Sequence, residues 1–319
     1  MHSRRLGSNQ LSKPVRPSRT TIHFMSLLNS LPGRIAAAPD VQALEACAQT
    51  HSTPCGAGSV IWHIWGQGPP LLLLHGGSGS WTHWVRNIES LLQAGYQVLV
   101  PDLPGCGDSA SLPSGHDADA IAPWIASGLD ALIGDRACDI VAFSFGALVA
   151  GFLAATHPAR VRKLVLVAPP GLSAIPGPSL ALRDWQAEAP GPLRLAAQRH
   201  NLLTLMISRE GAGTDLAVQL HAANVERDRL RKRRLFRTDI LLRTLPAVAC
   251  DVWGIWGASD VLFRDRLNML CPALSQAPGF RFLTLIPDAG HWVQYEQAAR
   301  FNDAVISMLG LPPQSQTAG

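Results

Sequence analysis

Asp139-Ile140-Val141-Ala142-Phe143-Ser144-Phe145-Gly146 passes directly into Ala147-Leu148-Val149-Ala150-Gly151-Phe152-Leu153-Ala154-Ala155-Thr156. A short apolar run without alternation is what a strand covered on both faces requires. The Ala- and Leu-rich stretch after it predicts a helix over 146–156, closed at His157-Pro158 because proline does not continue a helix. Ser144 therefore falls on a strand-to-helix turn. Where a serine is exposed on such a sharp turn, neighbouring backbone crosses close by, and the positions two before and two after it must be small. Ala142 and Gly146 meet that demand, with Ala142 standing where the pattern G-x-S-x-G has its first glycine. The competing structural reading is a serine that caps the helix N-terminus, and these five residues alone do not separate the two.

Outward from this unit the same strand–loop–helix succession recurs. Val60-Ile-Trp-His-Ile-Trp65 alternates like a half-buried strand and ends at the turn Gly66-Gln-Gly-Pro-Pro70. Apolar runs at 71–74, 96–101, 163–168, 252–256 and 281–286 predict further strands. Helices are expected from Asp40 onward, through 124–132, and from about Trp292 to Met308. Strands alternating with helices predict an α/β fold with a mostly parallel, doubly wound sheet. Between Gly171 and about Leu245 no strand pattern appears, only helical patterns at 193–208 and 216–242. The expected organisation is a core of 39–171 and 246–311, a helical cap of 172–245, a basic tail of 1–38 and a short tail of 312–319.

The companions of Ser144 give the turn its chemical meaning. His75-Gly76-Gly77-Ser78-Gly79-Ser80 follows the strand at 71–74 and turns backbone N–H groups toward the same strand edge. Acyl transfer needs two such donors for the developing oxyanion, one from this loop and one from the residue after the nucleophile, which selects Gly77 and Phe145. The structural alternative for the glycines is a flexible turn before Trp81. Trp256-Gly-Ala-Ser-Asp260 places a carboxylate just beyond a later strand, and Asp288-Ala-Gly-His291 places an imidazole beyond the last one. Taken singly, each is a cap or loop residue. Together, in the order Ser…Asp…His at successive strand ends, they form a candidate triad with Ser144 as nucleophile, Asp260 as acid and His291 as base. The strand at 163–168 ends in Pro169-Pro170-Gly171 without a carboxylate, which directs the acid to Asp260. His75 and Asp288 are read as turn residues, and Glu296 as a packing or capping residue.

Composition removes other classes. In 319 residues, 47% are hydrophobic, 16% are charged and the net charge is +4, ordinary values for a globular chain and weak ones for nucleic-acid binding. No apolar run reaches the roughly 20 residues of a membrane-spanning helix. The six cysteines contain no CxxC pair, so neither a disulfide framework nor a zinc site is expected; a reducing compartment, the cytoplasm, is. The basic first 38 residues read as a tail or a targeting segment, and the tail is preferred. The run Arg227-Asp-Arg-Leu-Arg-Lys-Arg-Arg234 reads as a solvated helix face; the sharper alternative is that one of its arginines pairs with a substrate carboxylate, for which Arg183, Arg194 and Arg199 are equal candidates. His200 and His221 are expected on the surface.

These residues resemble the α/β-hydrolase superfamily over almost everything after residue 56. Asp102-Leu-Pro-Gly-Cys-Gly-Asp-Ser109 is similar to its D-x-P-G-x-G-x-S loop, in which the resemblance gives Asp102 an ordering role. Gly290-His-Trp-Val-Gln-Tyr-Glu296 is similar to the G-H-W-x-Q-x-E segment of meta-cleavage-product hydrolases, which implies Trp292 as a substrate-binding residue. That branch usually has Asn where Phe143 stands; the elbow here looks closer to the F-S-M-G of simple esterases and cofactor-free haloperoxidases. The resemblance implies a cofactor-independent serine hydrolase acting on a small molecule, an ester first and a carbon–carbon bond second, with a non-catalytic ligand-binding protein as the reading from another class.

Overall fold

The computed structural model describes residues 41–173, 177–211, 213–230 and 232–310; the expected tails lie outside them. Eight strands, β1 (Gln49–Cys55), β2 (Gly58–Trp65), β3 (Pro70–Leu74), β4 (Gln97–Pro101), β5 (Cys138–Phe143), β6 (Val161–Val167), β7 (Asp251–Gly257) and β8 (Phe280–Ile286), form one sheet in the order β1-β2-β4-β3-β5-β6-β7-β8. The first two pairings, β1 with β2 and β2 with β4, are antiparallel, and every later pairing is parallel. The helices are α1 (Val41–Ala46), α2 (Ile88–Gln93), α3 (Ala118–Ile133), α4 (Phe145–Thr156), α5 (Pro192–Leu205), α6 (Thr214–Glu226), α7 (Ile240–Thr244), α8 (Leu267–Leu274), α9 (Val293–Glu296) and α10 (Ala298–Leu309).

The expected apolar runs occupy the middle of the sheet for a plain reason. Leu71, Leu72, Leu73 and Leu74 in β3 have no exposed surface, and neither has Ile140, Val141, Ala142 or Phe143 in β5. Each of these leucine, isoleucine, valine and phenylalanine side chains contributes about 1.5–3 kcal/mol on burial, so only a position covered on both faces suits them. From β3 the chain crosses to β4 on one side and then, through α3, to β5 on the other. The strand order reverses between β3 and β5, and in open α/β sheets the crevice at such a point lies outside the carboxyl ends of the strands.

Three expectations about elements need correction. The chain enters the sheet at β1, earlier than the sequence suggested; that strand is polar, mostly exposed and contains Pro54, features of an edge strand with no hydrophobic alternation to detect. The helix expected over 216–242 stops at Glu226, because the next residues leave helical geometry to make ion pairs and hydrogen bonds with core loops. Arg227 meets Asp108 at 3.1 Å, and Arg229 Nη2 bonds the Gly107 and Ser109 carbonyls. The C-terminal helix is two helices, interrupted at Gln297, whose side chain donates to the Asp288 carbonyl at 3.0 Å. Among the described residues between β6 and β7 there are helices and turns and no strand.

Candidate active site

Ser144 sits between β5 and α4 with φ 48° and ψ −117°, a backbone conformation that costs a non-glycine residue on the order of 1–3 kcal/mol. The turn is held by Ser144 N–H donating to the Val167 carbonyl (2.8 Å) and Ala147 N–H donating to that of Ser144 (2.9 Å). A Cβ on Gly146 would lie 2.4 Å from the His75 carbonyl oxygen and 2.7 Å from that of Leu74, so α4 starts against the backbone end of β3 only because residue 146 is glycine. The Ser144 side chain makes no cap to α4, which disposes of the capping alternative. Its Oγ lies 3.0 Å from His291 Nε2 instead.

His291 and Asp260 are brought together by two loops that cross at close quarters. Ser259 N–H donates to the Ala289 carbonyl (2.9 Å), and a Cβ on Gly257 would come within 2.1 Å of the Gly290 oxygen. Asp260 is fully buried; its Oδ1 accepts the Leu262 N–H (2.9 Å) and its Oδ2 lies 2.8 Å from His291 Nδ1. With Nδ1–H donating to that carboxylate, Nε2 carries the lone pair that faces the Ser144 hydroxyl. His291 is buried and Ser144 partly exposed, so the serine is the member that a substrate meets first.

The glycine loop after β3 leaves the adjacent strand end. Among the described residues the N–H groups of Gly77 and Phe145 donate to no protein acceptor, and the two residues are neighbours, a Cβ on Gly77 falling 3.6 Å from that of Phe145. His75 is a fully buried turn residue, accepting the Leu103 N–H through Nε2 (2.8 Å) and facing the Gly76 carbonyl through Nδ1 (2.7 Å). Asp102 orders its loop, taking the Trp81 N–H (2.8 Å) and the Asp108 N–H (2.9 Å) on its two oxygens. Asp288 is an exposed turn residue at φ 56°. Glu296 accepts from Gly290 N–H (2.5 Å) and from the Ser208 N–H (2.8 Å), tying the helical segment to the loop of His291.

Trp292 departs from the expectation of a pocket-lining residue. It has no exposed surface: its indole N–H donates to the His83 carbonyl (3.1 Å) and its ring packs 4.9 Å from that of His83 and 4.4 Å from Tyr295. The side chain buttresses the site from within the core. A cavity of about 440 Å³ borders His291, with Leu203, Met206 and Val261 in its wall, and does not include Ser144.

Several further residues surround this constellation, and of these His83 is one that the sequence does not single out. His83 Nδ1 accepts the Gly76 N–H (3.2 Å), and burial, with the imidazoles of His75, His221 and His291 around it, holds its pKa well below the ordinary value. His221, expected on the surface, is half-buried on α6 in that group, and burial lowers its pKa from 6.5 to about 4. The basic run after α6 is a strap on the core and not a solvated helix face; Arg233 is only 17% exposed. Of the three arginines offered for a substrate carboxylate, Arg194 bonds the Glu188 carbonyl and Arg199 pairs with Asp215 and Glu210. Nothing in the order of residues signals His83, and the run that holds Arg233 reads as solvated, since both placements depend on loops that meet only in three dimensions.

The shift of His221 has a consequence for stability. Its folded-state pKa lies below the unfolded value, so the unfolded chain takes up the additional proton and stability is lost as pH falls from 6.5 toward 4. His221→Gln is expected to remove on the order of 2–3 kcal/mol of the loss between pH 7 and pH 4. Urea unfolding at both pH values measures it, and parallel pH slopes in the two proteins would refute an imidazole held neutral in the folded state.

A serine, an imidazole and a carboxylate in one relay at the carboxyl edge of such a sheet, beside a glycine loop, define an α/β hydrolase. Residues 71–304 match the Alpha/beta hydrolase family, and the chain belongs to that family. It is 27% identical over 262 residues to a 2-hydroxy-6-oxo-6-phenylhexa-2,4-dienoate hydrolase of Burkholderia cepacia, covering 76% of this chain and 88% of that one. It is 32% identical over 232 residues to a pimeloyl-[acyl-carrier protein] methyl ester esterase of Aeromonas salmonicida, covering 72% and 84%. Among solved structures, a carboxylesterase from Bacillus subtilis superposes with a TM-score of 0.69 at 19% identity, covering 91% of this chain and 97% of that one. A meta-cleavage product hydrolase from Pseudomonas fluorescens superposes at 0.67 and 22%, covering 81% and 97%. Among the described residues there is no cluster of metal-ligating side chains and no helix long and apolar enough to cross a membrane.

Proposed function

We propose that the chain is a serine hydrolase that opens a small, largely apolar carboxylic ester through an acyl-enzyme on Ser144. The observation that carries this is the unbroken relay from Ser144 Oγ to His291 Nε2 (3.0 Å) and from His291 Nδ1 to Asp260 (2.8 Å). In this mechanism His291 takes the Ser144 proton as Oγ bonds to the carbonyl carbon. The carbonyl oxygen becomes anionic and is held by the N–H groups of Gly77 and Phe145, with the positive end of the α4 dipole behind the second. The C–O bond to the alcohol breaks as His291 gives the alcohol its proton. Water then attacks the acyl carbon, its proton passing to His291, and collapse of that intermediate frees the acid and returns the proton to Ser144. Residues 172–245 act as a cap that selects the small-molecule substrate, their buried Leu202, Met206 and Ile207 giving it an apolar character.

The ester is favoured over a carbon–carbon bond by Phe143 before the nucleophile, which is the esterase-like residue at a position where the meta-cleavage branch usually has Asn. The segment Gly290-His291-Trp292 through Glu296, and the likeness to a dienoate hydrolase, favour cleavage of a carbon–carbon bond beside a ketone as the second reading. A panel of p-nitrophenyl esters of rising chain length, run beside a vinylogous 1,5-diketone acid, separates them. The expected result is a kcat/KM on the best ester at least about 10²-fold above that on the diketone, near 3 kcal/mol of transition-state preference. The reverse ratio would transfer the assignment to carbon–carbon hydrolysis, and no turnover of either would favour a ligand-binding protein on this fold.

A further inference from the structure

One side chain of the strap after α6 touches both residues proposed to hold the oxyanion. Arg233 places its guanidinium carbon 5.2 Å from the centre of the Phe145 ring. Its Nη1 would lie 3.1 Å from a Cβ on Gly77, so the glycine also admits the arginine. Nη2 is committed to the Asp228 carboxylate (2.8 Å) and to Ser78 Oγ (3.1 Å). Asp228 is committed in turn: it accepts from Ser78 Oγ at 2.5 Å and from Leu230 N–H at 2.9 Å. Nη1 differs from all of these. It is shut off from solvent and has no hydrogen-bond partner among the described residues.

A guanidinium nitrogen buried without an acceptor costs free energy in the resting protein, and an acceptor that arises during the reaction recovers that cost. The acceptor due to arise here is the carbonyl oxygen, between Gly77 and Phe145. We propose that Arg233 completes the oxyanion pocket, its Nη1 serving as a charged donor beside the two backbone N–H groups. The pocket is thus built from three segments: the loop after β3, the start of α4 and the strap. The Asp228–Ser78 contact fixes the guanidinium so that little reorganisation accompanies the reaction. This inference rests on Ser144 being the acylated nucleophile.

The test compares wild type, Arg233→Gln and Arg233→Lys on p-nitrophenyl acetate, together with inhibition by a trifluoromethyl ketone, which forms a tetrahedral oxyanion adduct. Arg233→Gln is expected to lower kcat by about 10²-fold with KM moved less than about threefold, and to weaken the ketone in the same proportion as kcat/KM. Arg233→Lys, which keeps the charge, is expected to recover about a tenth to a third of wild-type activity. If the Gln variant fails to fold, the Lys variant alone must still lose kcat and ketone affinity in one ratio. The proposal is overturned if Arg233→Gln turns over within threefold of wild type, or if either variant loses kcat while ketone affinity stays unchanged, the behaviour of a structural staple. Reaction of the wild type with a fluorophosphonate separates the two levels. A wild type that neither labels at Ser144 nor turns over fails the triad reading, whereas one that labels beside a fully active Arg233→Gln variant fails only this inference.

Discussion

Ser144→Ala is expected to lower kcat on an activated ester by about 10⁶-fold while leaving the protein folded. The size follows from how the work is divided. Without the hydroxyl there is no acyl-enzyme, so water must attack directly and His291 has no nucleophile to deprotonate. What remains is binding and the oxyanion donors, which in other triads sustain about 10³–10⁴-fold acceleration over water. The loss in stability should stay near 1 kcal/mol, because the Ser144 hydroxyl does not cap α4 and its hydrogen bond is to His291. Steady-state turnover and thermal unfolding of the same preparation check both numbers, and a variant retaining even a hundredth of wild-type kcat would contradict the assignment.

Asp260→Asn is expected to cost about 10⁴-fold in kcat with little change in geometry. The carboxylate is fully buried between Leu262 N–H and His291 Nδ1. In the variant, the amide oxygen is drawn to the Leu262 N–H and the amide nitrogen then faces Nδ1. A donor there makes Nδ1 the acceptor and moves the imidazole proton to Nε2, the atom that must take the proton of Ser144. The relay is inverted without moving an atom far. Turnover of this variant above about a tenth of wild type would show that Asp260 does not set the tautomer, and would redirect attention to another acid.

How much of this was legible depends on how local each feature is. Ser144, Asp260 and His291 could be read because each lies a few residues beyond an apolar run, and such runs declare themselves as strands. The small residue Gly146 was legible for the same reason, since the close backbone approach that requires it is fixed by the turn itself. The edge strand β1 was not legible, being polar and broken by Pro54. The strap at 227–234 was misread because its charge pattern is that of a solvated helix, whereas its partners Asp102, Asp108 and Ser78 are more than a hundred residues earlier. His221 was misread because helix α6 has little amphipathic pattern from which an inward face could be told. Trp292 was assigned through resemblance to one branch of the family; here its indole is enclosed by His83 and Tyr295.

The most direct measurement is peptide mapping by mass spectrometry after reaction with a fluorophosphonate, with residual turnover followed in the same samples. One phosphonyl group per chain, attached to Ser144 and growing in step with the loss of ester hydrolysis, is the predicted result; hydrolysis that persists undiminished, or disappears with the label on a different residue, would contradict it.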